Sequence, residues 1–306
     1  MTSIVPFFAL WALMWFTLRY GYVYTLLLAV PTAGFMLRIF MVQHDCGHGT
    51  LFKSRVANDC LGFWLGVLTL TPYYHWRRSH SLHHASSGNL DRRGHGYIYT
   101  LTVEEYLALP LLRRIGYRIL RHPLFLFGLA PLLQFVVLQR FPSHDSLNWP
   151  KERANVHITN LCVVLLFGGV WFLVGLRSLL LIELPITLIA ASIGVWLFFV
   201  QHHFEETYLE RQEKWDYEAA GVEGSSYYAL PRVLQWFTAN IGFHHIHHLD
   251  SRIPNYRLEE CFKENPCMQK VKTLTFGQSF SCASLALWDE KSQTMVGFDR
   301  AVLVEQ

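Results

Sequence analysis

The residues of this 306-residue chain best placed to do chemistry are its sixteen histidines, most of them in short groups. His44 and His48 form H-x-x-x-H within "QHDCGH"; His80, His83 and His84 form H-x-x-H-H within "WRRSHSLHHASSGNLD". His244, His247 and His248 repeat H-x-x-H-H within "NIGFHHIHHLDSRIPNY", and His202 lies in "QHHF". On a helix, positions i, i+3 and i+4 share one face about 5–6 Å apart. Each group is therefore expected to present its imidazoles as a single patch. Nine such imidazoles are enough for two metal ions. Imidazole suits zinc, copper, iron and nickel, whereas a structural zinc site closes with four ligands and tends to use cysteine. The number fits a dinuclear site, and neutral nitrogen ligands leave redox-active iron room to bind dioxygen. Asp45 and Asp91 lie beside the groups and read as acceptors that fix imidazole tautomers, not as ligands. A lone H-x-x-x-H more often reflects packing; it is the company of the other groups that sets that reading aside. His75, His95, His122, His144 and His157 have no spacing partner and read as interfacial or surface residues. His245 points away from its neighbours, and His203 competes with His202 for one ligand position.

Apolar stretches must position these groups. The chain is 52% hydrophobic and only 16% charged, against about 25% charged in a soluble protein, which points to a membrane. Four stretches read as transmembrane helices, at about 3–18, 22–42, 158–176 and 178–200. A span needs roughly 20 residues, so the first, with 16, is marginal. It lacks the basic start of a signal peptide. The second runs directly into "QHDCGH" and the fourth into "QHHF". Of two further stretches, 60–74, with 15 residues, fits an interfacial or re-entrant helix better than a span, whereas 122–141, which contains Pro123 and Pro131, is open to either reading.

Charge gives the orientation. Residues 44–156 hold 13 of the 26 Lys and Arg and 201–306 hold 10, while the short connections offer only Arg19 and Arg177. The positive-inside rule then places 43–157 and 201–306 in the cytoplasm. The expected architecture is an all-α integral membrane protein of one domain, 1–306. Its four transmembrane helices form two hairpins, with a helical cytoplasmic cap and one or two interfacial helices. Net charge of +3 without a basic run argues against nucleic acid. Six cysteines without a C-x-x-C pair give no disulfide framework and no zinc ribbon. A metal transporter would want polar residues inside the spans, where only Glu183 is conspicuous; a zinc hydrolase would want H-E-x-x-H, which is absent.

With these features the chain resembles the membrane fatty acid desaturases. "HDCGH" followed by "NDCLG", then "WRRSHSLHH", "QHHF…WDY" and "HHIHH…IPNY" is similar to the motif order of the acyl-lipid, Δ12/ω6-type branch. The three residues between His44 and His48 differ from the four usual in stearoyl-CoA Δ9 enzymes. There is no H-P-G-G haem motif. The resemblance implies nine iron ligands, at His44, His48, His80, His83, His84, His202, His244, His247 and His248. It also implies two non-haem irons near the cytoplasmic surface above a kinked acyl tunnel, with dioxygen as co-substrate. The substrate would be an acyl chain, expected on a membrane lipid, and electrons would come from an external ferredoxin, cytochrome b5 or similar donor. Arg77, Arg78, Arg92 and Arg93 are candidates to receive an acidic donor or, equally, to lie against anionic phospholipid. A bacterial inner membrane or the endoplasmic reticulum would house such an enzyme. A di-iron hydroxylase or ketolase is the nearest alternative, separable by its product.

Overall fold

The structure, a computed structural model, describes residues 1–94 and 98–305; His95 lies outside them. The chain divides into two compact units. The first comprises Met1–Arg78, Gly128–Val195 and Phe237–Ala239, the second Ser79–Phe127, Trp196–Trp236 and Asn240–Gln306.

The first unit is helical. Helix α1 (Ile4–Thr17) is only 14 residues long, a rise of about 21 Å, short of the roughly 30 Å of hydrocarbon in a bilayer. Helix α2 (Tyr22–His48) runs 27 residues and ends at Gly49, whose φ of 75° is the left-handed conformation that closes a helix. Pro31 interrupts its ladder; the Thr32 hydroxyl, 2.7 Å from the Leu28 carbonyl, donates within the loosened turn. Ala29 and Ala33, one turn apart and fully buried, let α2 approach Phe7 and Met14 of α1 in a core shared with Ile182, Ile186 and Ala190.

Helix α3 (Arg55–Leu68) is capped by Ser54, whose hydroxyl accepts from the Ala57 amide. Gly62 and Gly66 on α3 admit the returning chain: a Cβ at Gly62 would lie 2.3 Å from the Tyr73 ring, and one at Gly66 2.4 Å from the Thr71 carbonyl. That close return starts α4 (Tyr73–Ser86), the helix of the second histidine group. Helix α5 (Pro150–Val174) begins with proline at its first turn, and Gly175, at φ 83°, separates it from α6 (Leu176–His202).

Three helices, α2, α5 and α6, are long and apolar enough to cross a membrane. A fourth crossing arises if the bent pair Leu111–Arg121 and Phe125–Arg140 counts as one span. The expected span at 3–18 is instead the short apolar helix α1, and the stretch 60–74 contributes to α3 and the start of α4. The expected pair of hairpins is met only in part. Helix α1 packs along α2, but α5 packs against α3 rather than along α6. The reason is that only the first turns of α5 bury side chains (Asn155, Val156, Thr159); farther on, Phe172 and Leu173 are 90% and 78% exposed, as side chains facing lipid would be.

The second unit adds small sheets that short sequence runs do not announce. Strand β1 (Leu101–Thr102) pairs in parallel with β4 (Leu287–Asp289), which pairs antiparallel with β5 (Thr294–Val296). Strand β2 (Tyr227–Ala229) pairs in parallel with β3 (Thr273–Thr275). Leu101, Tyr106, Tyr117 and Leu287 form one core here, and Phe243, Ile246 and Leu258 another. The latter seats α7 (His244–Leu249), the helix of the third histidine group.

Candidate metal centre

Within the second unit, four buried histidines converge: His83 from α4, His202 from the last turn of α6, and His244 and His248 from α7. One ring nitrogen from each lies within 4.8 Å of the others. The Nε2 atoms of His202 and His244 are 3.0 Å apart. Two nitrogens at about 2.1 Å on adjacent corners of a metal's coordination sphere are separated by about 3 Å. His202 Nδ1–H donates to the Gly224 carbonyl at 3.1 Å, which leaves Nε2 as the lone-pair nitrogen facing the cluster. His248 is 2% exposed, and its Nε2 has no hydrogen-bond partner among the described residues. Burial, and then the imidazoles of His84, His244, His202 and His83, hold its pKa well below the ordinary histidine value, so the ring is neutral and able to bind a cation. A buried, nitrogen-only set with an unsatisfied lone pair fits a transition-metal ion.

A second set lies beside it in the same unit. His80 and His84 of α4 bring their Nε2 atoms within 3.1 Å, and one ring nitrogen from each and from His247 lie within 4.8 Å of one another. In the first unit, His44 and His48 occupy the last turn of α2 with ring centroids 4.7 Å apart. Asp45 Oδ1 lies 3.5 Å from His44 Nδ1.

The expectation that each histidine group forms one patch is corrected by this arrangement. His80 and His84, four apart, go to one set, and His83 to the other; His244 and His248 go to one set, and His247 to the other. Neighbours on a helix diverge by about 100°, as 3.6 residues per turn requires. The doubled histidine of H-x-x-H-H therefore serves two sets from a single turn.

The structure separates His202 from His203. His203 turns away, stacking on Phe199 with ring centroids 4.5 Å apart and lying 3.0 Å from Thr100 Oγ1. The single hydroxyl proton of Thr100 goes to the Ile98 carbonyl, so His203 Nε2–H is the donor. His245 likewise points out of the sets, its Nε2 3.0 Å from the Met268 carbonyl, and burial lowers its pKa to about 4. This bond, and that of the Tyr217 hydroxyl to the His248 carbonyl at 3.1 Å, fix α7 in place. Gln201, buried beside His202, donates to the Ile241 carbonyl at 2.8 Å. His122, His144 and His157 are exposed and His75 is half-buried near Ser143.

Asp91 makes no contact with a histidine among the described residues. It accepts from the Gln212 amide at 2.9 Å and from Arg211 at 3.0 Å, fastening the chain after α4 to the segment at 211–212. Of the four arginines considered for an electron donor, three are already engaged. Arg77 pairs with Asp59 at 2.5 Å, Arg78 with Glu152 at 3.2 Å, and Arg93 with Glu105 at 2.6 Å. Arg92 is exposed.

Sequence reasoning missed the supports made by backbone. The Gly224 and Met268 carbonyls orient imidazoles and leave no side-chain signal. The Tyr73 hydroxyl donates to the Cys46 carbonyl at 2.8 Å, inside the first histidine group, and lies 3.2 Å from Asp59 Oδ1. "NDCLG" was legible as a motif, but not as this support.

Apolar helices of spanning length, together with histidine clusters that could hold metal ions, fit a membrane protein. The chain matches the family model described as fatty acid desaturase over residues 11–274. It is 46% identical over 298 residues to a fatty acid desaturase of Bacillus subtilis, covering 97% of this chain and 84% of that protein. It is 29% identical over 257 residues to an sn-1 acyl-lipid omega-3 desaturase (ferredoxin) of a Nostoc species, covering 82% and 69%. It is also 29% identical over 250 residues to an endoplasmic reticulum omega-3 fatty acid desaturase of Nicotiana tabacum, covering 74% and 60%. The chain belongs to the fatty acid desaturase family, and it is an enzyme of that class.

Proposed function

We propose that the enzyme removes two hydrogens from adjacent methylenes of an acyl chain, using two irons held by His44, His48, His80, His83, His84, His202, His244, His247 and His248. The observation that carries this reading is the buried quartet His83, His202, His244 and His248, in a chain of this family. Iron bound there supplies, with dioxygen, the oxidising power that an unactivated methylene demands. The chain's own part is to position and to keep dry. His202 is turned by the Gly224 carbonyl so that Nε2 faces the other imidazoles. Asp45, whose Oδ1 is 3.5 Å from His44 Nδ1, is the carboxylate that supports the first group by its charge. In this reading residues 1–306 act as one functional domain.

The substrate is an acyl chain carried on a membrane lipid, with attack at a Δ12/ω6-like position on the motif order. The relatives named as acyl-lipid desaturases support the lipid-linked chain, though their names specify omega-3 desaturation. The same names include ferredoxin, which supports a small external electron donor of that kind, or cytochrome b5. The site faces the cytoplasm, from regions 43–157 and 201–306, in a bacterial inner membrane or the endoplasmic reticulum.

Expression in a host of simple lipid composition, with mass spectrometry of its fatty acids, tests the reading. An olefin two mass units lighter than its precursor is expected. A hydroxylated acyl chain would instead establish the alternative outcome, oxygen insertion.

A further inference from the structure

Arg19, between α1 and α2, and Arg177, in the first turn of α6, are 158 positions apart in sequence. Both line one cavity of about 520 Å³, with Trp15, Tyr22, Ser178 and Leu181. Tyr22 is the first residue of α2 and His48 its last, so the cavity lies about 40 Å along that helix from the first histidine group. It is a separate place from that group.

Its chemistry is cationic without compensation. Arg19 Nε donates to the Phe16 carbonyl at 3.1 Å, and its guanidinium rests 3.8 Å from the Phe16 ring centroid. Neither Arg19 nor Arg177 enters an ion pair among the described residues. The nearby carboxylate, Glu183, accepts from Trp11 Nε1 at 2.6 Å. Two guanidinium groups lining one cavity beside a low-dielectric membrane favour an anion from outside the chain. Guanidinium forks match phosphate geometry.

The surroundings say which anion. Trp15, Tyr20, Tyr22 and Tyr24 are each 39–62% exposed around this end of the helices, the pattern of aromatic residues at a headgroup boundary. Leu13, Leu176 and Leu180, 43–47% exposed, offer an apolar flank for acyl chains. We propose that this cavity binds the phosphate headgroup of an anionic membrane phospholipid through Arg19 and Arg177, with the Ser178 hydroxyl as a further donor and Trp15 and Tyr22 as its walls.

The full-length protein, incubated with phosphatidylglycerol or phosphatidylcholine and observed by native mass spectrometry, tests the site. The wild type should retain one phosphatidylglycerol at least tenfold more strongly than phosphatidylcholine. R19Q and R177Q should each weaken that retention about tenfold, and R19K/R177K should keep most of it. Thermal melts followed by tryptophan fluorescence identify which variants are folded, and the single variants carry the test where a double does not fold. Equal retention of the two lipids, or unchanged retention in folded R19Q and R177Q, would overturn the proposal. So would millimolar inorganic phosphate displacing the lipid completely, which would make this a site for free phosphate.

Discussion

Replacing His202 and His203 one at a time asks two adjacent, fully buried imidazoles to do different things. His202 points its Nε2 to within 3.0 Å of His244 Nε2. His203 donates to Thr100 and stacks on Phe199. His202→Ala removes one of four converging ring nitrogens, and the product should fall at least a hundredfold with loss of about one iron per chain. His203→Ala leaves the Thr100 acceptor unpaired, which costs about 1–3 kcal/mol; with the void left by the ring the total is about 3–5 kcal/mol. Glutamine keeps an N–H donor and much of the volume, so His203→Gln should cost about 1 kcal/mol. At roughly 2–4 °C per kcal/mol for a domain of this order of size, the alanine variant melts about 6–20 °C lower and the glutamine variant only a few degrees lower. Both should keep their iron and, below the melt, their product yield. Exposed His144 is the control, its alanine variant matching the wild type throughout. The assay pairs metal analysis of purified protein with mass spectrometry of host fatty acids. Iron retained in His202→Ala but lost from folded His203→Gln would refute the assignment.

Two further predictions rest on the supports. Tyr73→Phe deletes the hydroxyl that donates to the Cys46 carbonyl and should destabilise by about 1–3 kcal/mol, measured by thermal melting, while Tyr74→Phe should not. Asp91 is held below the ordinary carboxylate range by the Gln212 amide and then by Arg211. Its folded-state pKa is depressed, so its contribution is complete above the unfolded value near 3.9 and is lost as pH falls through the folded value. Asp91→Asn should therefore flatten the acid limb of the melting curve against pH, and an unchanged limb would show that the bond contributes nothing.

The sequence carried much of the site because the metal-binding signal is local. Histidines at i, i+3 and i+4 are readable wherever a helix is expected, and the helices ending at His48 and His202 were announced by their apolar runs. What could not be read was how α4 and α7 divide their imidazoles, since that depends on which way each helix faces a partner distant in sequence. Nor does adjacency along the chain reveal that Arg211, 120 residues on, pairs with the Asp91 carboxylate. The shortness of α1 and the separation of α5 from α6 reflect packing and lipid exposure, which hydrophobic length alone does not encode. Strands of two or three residues, such as β1 and β4, are too short for any periodicity to show.

The central claim is that buried histidines of this chain hold a pair of irons. Metal analysis of the purified, active wild-type protein tests it most directly. About two irons per chain are expected, falling in His83→Ala, where one of the four converging ring nitrogens is removed. One zinc per chain with negligible iron, or full iron retention in His83→Ala, would contradict it.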